Sequence, residues 1–209
     1  MDKNKTIAFY GIKNAKYALR DAEGKIDAAA EAKKLPFAKS LVLNPAVNQQ
    51  EVYADDTKLY TIITDQGYTG NYGCTGQDEE FEEALGLMKK LDGGLVVGTK
   101  MTSAVRFDLY YEYTVKPEGK KAFVMKTWVY GVELGKPSKN HQTNTQNVTI
   151  GEYQYPLTTY GEKILNADDK PLTNDEGFEI YALIARSVPS DTNYETFGEK
   201  PPVPKVAAG

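Results

Sequence analysis

One cysteine, Cys74, is all the thiol this chain has. That excludes an intramolecular disulfide framework and any zinc site built from cysteines. Histidine is as scarce. His141 stands alone among Asn140, Gln142 and Asn144, with no partner nearby in sequence to orient it for general acid–base work. Cys74 sits between Gly73 and Gly76 with no histidine beside it, the setting of a packed or spare thiol and not of an activated nucleophile. No apolar run reaches membrane-spanning length. Residues 1–5 are charged and lack the apolar core of an export signal, so a soluble chain made in a reducing cytoplasm is expected.

Other candidate sites fail on spacing. Asp168, Asp169, Asp175 and Glu176 crowd oxygen ligands, but not in the alternating pattern around a central glycine that a calcium loop uses. Gly93-Gly94 and Gly98 do not form a phosphate loop, and the glycosylation acceptor Asn147-Val148-Thr149 means nothing without a secretory route. No catalytic constellation emerges. Neither an enzyme nor a cofactor site is expected.

Tyrosine and segregated charge are what the chain does have. There are fifteen tyrosines against seven phenylalanines and one tryptophan, a bias that suits sheet faces and interfaces, which are half buried. Residues 1–40 carry nine Lys/Arg and five Asp/Glu, whereas residues 51–92 carry three and ten. The basic residues are dispersed and match no nucleic-acid motif. Complementary surfaces that draw copies of one chain together head to tail are the better expectation.

Hydrophobic periodicity predicts a mainly β fold. Short strands are expected at residues 7–12, 15–20 and 40–43, the last closed by Asn44-Pro45. Residues 28–34 read as a helical turn or an extended connection, ended by Pro36. One helix is expected over residues 78–91, where Phe81, Ala84, Leu85 and Met88 share a face. Acidic residues crowd its start, Lys89 and Lys90 lie in its last turn, and Gly93-Gly94 stop it. Val105 to Val115 alternate apolar with polar residues, predicting a strand with one wet face. Residues 122–132 are apolar on both faces and predict a central strand. Strand material follows at residues 148–150 and 153–159, with Pro156 arguing for an edge, and at residues 178–184. Residues 187–209, with Pro201-Pro202 and Pro204, read as an extended tail with little to bury. The division expected is an arm at 1–6, a β domain at 7–186 and a Pro-rich extension at 187–209.

The most informative stretch is Glu51-Val52-Tyr53-Ala54-Asp55-Asp56-Thr57-Lys58-Leu59-Tyr60-Thr61, followed by Gly67-Tyr68-Thr69-Gly70. It predicts a strand, a polar turn at residues 54–58, a second strand to about residue 64 and a glycine-flanked third. Tyr53 and Tyr60 are available for cross-strand packing. This hairpin resembles that of the major tail proteins of long, non-contractile bacteriophage tails. Further blocks match the family in the same order: Phe9-Tyr10-Gly11-Ile12-Lys13-Asn14-Ala15-Lys16-Tyr17-Ala18-Leu19, Leu35-Pro36-Phe37-Ala38-Lys39-Ser40-Leu41, the helix start with Glu80-Phe81 and Leu85-Gly86, Gly119-Lys120-Lys121, and Gly135-Lys136-Pro137-Ser138. The resemblance spans residues 7–149, and residues 151–209 depart from it.

The resemblance implies a β-sandwich or partial barrel with one flanking helix and extended arms. It further implies six copies to a ring, and rings stacked into a tail tube that holds the tape-measure protein, meets tail-end proteins and later passes DNA without binding it specifically. Family members have no enzymatic activity and no cofactor, and they reside in the virion tail after assembly in the host cytoplasm. Elementary geometry agrees on one point: a lumen wide enough for duplex DNA needs a barrel of about 20 strands, more than one such chain supplies. On this reading Asp55, Asp56 and Thr57 tip a projecting hairpin, flanked by Tyr53, Lys58 and Tyr60, that contacts a neighbouring ring or faces the lumen. The alternative is a monomeric β-sandwich binding module, with Tyr110, Tyr111, Tyr113 and Tyr130 stacking on a glycan.

Overall fold

A computed structural model describes residues 7–21, 23–27, 30–139 and 151–206. The expected 1–6 arm, His141, the Asn147 acceptor and the 148–150 strand lie outside the described residues. In chain order the strands are β1 (Ile7–Leu19), β2 (Lys33–Lys34), β3 (Ala38–Ala54), β4 (Thr57–Cys74), β5 (Met88–Lys90), β6 (Val96–Gly98), β7 (Phe107–Pro117), β8 (Phe123–Leu134), β9 (Ser138–Lys139), β10 (Tyr153–Thr159), β11 (Glu162–Lys163), β12 (Tyr181–Ala182) and β13 (Ile184–Ser187). Among the described residues a single α-helix, α1 (Glu79–Ala84), follows β4. The fold is mainly β, a sandwich-like partial barrel with one small helix. One nine-stranded sheet dominates it, in the order β2-β1-β7-β8-β10-β4-β3, with β13 also on β8 and β9 on β10. The sheet is not closed, because β1 and β3 do not pair.

The interior of this sheet holds one aromatic core. Tyr17 from β1, Phe81 from α1 and Phe107 from β7 pack edge to face or tilted, with Phe81 4.7 Å from Tyr17 and 5.5 Å from Phe107. Leu109, Val129, Tyr72, Tyr155 and Leu157 continue it. Aromatic pairs of this kind add about 0.5–1.5 kcal/mol each to their area burial. Glu82 is buried beside them, and its carboxylate accepts hydrogen bonds from the Tyr155 phenol and from the Gln77 amide.

The helix is shorter than its periodicity predicts. Asp78 caps it, accepting the Phe81 amide at 2.8 Å. Gly86, at φ +69°, ends it with Gly86 N–H on Glu83 O and Leu87 N–H on Glu82 O, the paired bonds of a Schellman stop. Met88 therefore lies in β5, which turns through Gly93-Gly94 to pair with β6. Lys89 and Lys90 thus fall outside the helix, and only its acidic N-terminal half complements the macrodipole.

Several strand limits also differ. Residues 7–19 form one strand, with irregularities near Gly11 and Asn14 in place of a break. Residues 33–34 are extended and pair with β1, which settles the 28–34 alternatives toward the extended form where the chain is described. Asn44-Pro45 does not close β3, because an outermost strand with a register shift at Pro45/Val47 tolerates proline. Pro156 does not mark an edge. β10 is paired on both sides, and Pro156 falls where one partner changes from β8 to β9. The last core strand is β13, and Phe178 is exposed.

The largest correction concerns the second face of β7 and the C-terminal segment. Asp108 and Tyr110 are not on a wet face; both are fully buried. The chain after Ser187 crosses that face as a strap, with Phe197 buried against Tyr110, Trp128 and Tyr130. Backbone carbonyls of the strap take the side-chain donors beneath: Trp128 Nε1–H to Phe197 O at 2.7 Å, Tyr130 Oη–H to Pro202 O at 2.6 Å and Lys16 Nζ–H to Gly198 O at 2.6 Å. Arg20 enters the same layer. Its Nε and Nη2 donate to Asp108 Oδ1 and its Nη1 to Glu162 Oε2, while Gly131 N–H also reaches Asp108 Oδ1. Burial pushes the Asp108 carboxyl up against the opposing pull of Arg20.

Candidate assembly surface

β3 and β4 form one hairpin far longer than the core needs. Its base belongs to the sheet, since β10 pairs with β4 from Thr69 to Cys74. Gly67 marks the exit. At φ +83° its backbone lies so close to β10 that a Cβ would come within 2.6 Å of Thr159 O, and Tyr68 N–H donates to Thr159 Oγ1 at 2.8 Å. Beyond that point, among the described residues, the two strands pair only with each other, through eight residue pairs from Val47↔Asp65 to Ala54↔Thr57. At the usual rise this ribbon is about 25 Å long.

The ribbon ends in a two-residue turn. Asp55 and Asp56 have φ of +51° and +56°, the left-handed pair of a type I′ hairpin turn, which aspartate tolerates better than most residues. Thr57 Oγ1–H donates to Asp55 O at 3.3 Å. Tyr53 pairs with Lys58 and Tyr60 with Val52, so the two tyrosines are not directly opposite and do not form the expected cross-strand pair. Instead, Tyr53 Oη–H and Lys58 Nζ–H both donate to the Glu51 carboxylate at 2.5 Å. Lys58 first and Tyr53 second hold the Glu51 carboxyl below its ordinary range, and the same bond raises the Tyr53 phenol. All six hairpin residues singled out from sequence are thereby gathered at the outer end of the ribbon.

Large apolar groups on the ribbon have no cover among the described residues. Val47, Tyr53, Leu59, Tyr60, Ile62 and Ile63 are each between 46% and 66% exposed. A lone two-stranded ribbon is marginally stable in water, and the outer edge of β3 is unpaired along its length among the described residues. Such an arm leaves an unpaired strand edge beside its uncovered apolar groups.

A second apolar surface lies at the open seam between β1 and β3. A groove of about 560 Å³ is lined by Phe9, Tyr10, Leu41, Tyr68, Tyr111 and Tyr113, among others, with Arg186 as its charged member. Phe9 meets Tyr113 edge to face at 6.0 Å, and Tyr111 stacks on Tyr113 at 5.8 Å. Burial raises the Tyr111 phenol to about 12. Sequence reasoning picked out Phe9 and Tyr10 as strand residues, and Tyr111 and Tyr113 as strand residues and members of a glycan-stacking set. The seam that joins them is a product of sheet curvature, which no local pattern encodes.

Chemistry elsewhere is quiet. Cys74 is buried and its thiol is pushed up to about 11, chiefly by burial, the opposite of activation. Among the described residues no group of three or more His, Cys, Asp or Glu is placed to hold a metal ion. Asp169 pairs with Lys205, and the Asn166 and Asn174 side chains close the two polar turns nearby. No helix among the described residues is long and apolar enough to cross a membrane. Compared with known families and with curated proteins, the chain matches no family model and no curated sequence.

Proposed function

We propose that this chain is a structural subunit of a bacteriophage tail tube, self-assembling into stacked, hexameric rings whose channel holds the tape-measure protein and passes DNA. One observation carries the reading: a ribbon about 25 Å long, exposed on both faces and rich in uncovered apolar groups, that leaves the core at Gly67. An arm of this kind stabilises nothing within its own chain and gains its burial from neighbours. The unclosed sheet supports the reading too, because several copies must each lend strands to enclose a wide channel. Unlike faces meeting head to tail give rings or filaments. The Asp55-Asp56 tip would repel phosphate if it faces the lumen, letting DNA slide. The subunit works by shape alone, with no reaction and no cofactor, in the virion tail and in contact with tail-end proteins.

The glycan-binding alternative has less support. Of its four tyrosines, Tyr110 and Tyr130 are buried under the strap, leaving Tyr111 and Tyr113. Negative-stain electron microscopy across a concentration series separates the readings. Uniform rings or hollow rods are expected, and a monomer that binds glycan would overturn the proposal.

A further inference from the structure

The ribbon has two unlike faces. Paired residues of an antiparallel ladder point to the same side, and successive pairs alternate. One face therefore carries Asn48, Gln50, Val52, Tyr60, Ile62 and Thr64, with no charge among them. The other carries Val47, Glu51, Tyr53, Lys58, Ile63 and Asp65, which include every charged residue of the ribbon outside its turn. The Glu51 bonds to Tyr53 and Lys58 confirm that these three share a side. Burying the charged face would strip water from an ion pair, whereas burying the other removes no charge from solvent.

Resting on the tube reading, we infer that the uncharged face, through Val52, Tyr60 and Ile62, docks into the aromatic groove at the β1/β3 seam of a second copy of this chain. Among the described residues the ribbon is paired only with itself, and on this reading its cover comes from another molecule. The groove offers the matching surface: Phe9 and Tyr10 on its wall are exposed, and Arg186 is a cation at its lining. Charge favours the pairing as well. The ribbon holds Glu51, Asp55, Asp56 and Asp65 against Lys58, while the groove lining holds Arg186 and no acid. The contact joins unlike surfaces, so a joined pair still has one free groove on one copy and one free ribbon on the other, and assembly propagates.

The test uses three full-length variants, with circular dichroism and Trp128 emission as fold controls and sedimentation velocity as the readout. Tyr60→Glu with Ile62→Glu charges the docking face. Tyr53→Glu with Ile63→Glu charges the other face. Phe9→Glu with Tyr10→Glu charges the groove wall. The first and third are expected to fold and to associate about a hundredfold more weakly, as for loss of central interface residues. The second is expected to associate like the unmodified chain. Mixing the first with the third leaves one intact ribbon and one intact groove per pair, and a dimer that does not grow is expected. If the glutamates prevent folding, Tyr60→Ser with Ile62→Thr, and Phe9→Ser with Tyr10→Ser, repeat the comparison.

Loss of association in the second variant but not in the first would overturn this inference and leave the tube standing. So would a mixture of the first and third that stays monomeric. An unmodified chain that remains monomeric at every concentration would overturn the tube reading itself.

Discussion

Phe197→Ala tests whether the C-terminal strap belongs to the core. The ring is 6% exposed and packs with Ala18, Tyr110, Trp128 and Tyr130. Truncating a buried phenylalanine costs about 3–5 kcal/mol. A strap can also peel away, which caps the loss at its own docking energy, so the lower end of that range is expected. For a chain of this size each kcal/mol lowers Tm by about 2–4 °C, and a loss of 3 kcal/mol therefore lowers it by about 6–12 °C. The assay has an internal reporter, because Trp128 is the only tryptophan, is fully buried, and donates its indole N–H to the Phe197 carbonyl. Thermal denaturation should show the lower Tm, and native emission should shift to the red. A cost under about 1 kcal/mol, within the range of ordinary surface substitutions, together with unchanged emission would refute the strap's role in the fold.

Arg20→Ala strands Asp108 in the protein interior, since the two side chains are 4% and 1% exposed. Urea denaturation should show a loss of about 3–5 kcal/mol. Arg20→Lys should not restore it, because a single ammonium cannot serve Asp108, Glu162 and the Gly24 carbonyl together. Gly67→Ala sets a Cβ against Thr159 O at a left-handed φ and should cost about 1–3 kcal/mol by the same assay. A neutral result there would mean that the ribbon root is not held against β10. Alkaline pH gives a further check. Burial is the main cause that raises the phenols of Tyr72, Tyr110, Tyr130 and Tyr155 above their ordinary 10.0. The unfolded chain therefore loses these protons first, and the stability they contribute is full below pH 10.0 and falls as pH rises beyond it. Tyrosinate absorbance and loss of circular dichroism should rise together. These phenols titrating near their ordinary value in a fully folded chain would contradict the packing.

The turn of the long hairpin was legible because two aspartates interrupt an alternating pattern, and two left-handed residues in succession favour that chemistry. The strand at Tyr153–Thr159 and the doubly apolar β8 were legible for the same kind of local reason. What failed was reading punctuation without context. Pro45 looks like a strand end and Pro156 like the mark of an edge strand, yet one lies within an outermost strand and the other at a change of partner. Gly93-Gly94 look like the helix stop, yet the capping bonds fall at Gly86. The strap left almost no trace in sequence because it docks through backbone carbonyls, which any residue supplies. The polar residues Asp108 and Tyr110 predicted water where the strap stands.

The most direct test removes the ribbon. Residues 47–65 are replaced by an Asn-Gly turn, and the full-length and shortened chains are compared by sedimentation velocity over a wide concentration range, with circular dichroism confirming that both fold. The result expected is rings or larger species for the full chain and a folded monomer for the shortened one. A shortened chain that assembles as readily as the full one would contradict the claim that this arm joins the copies.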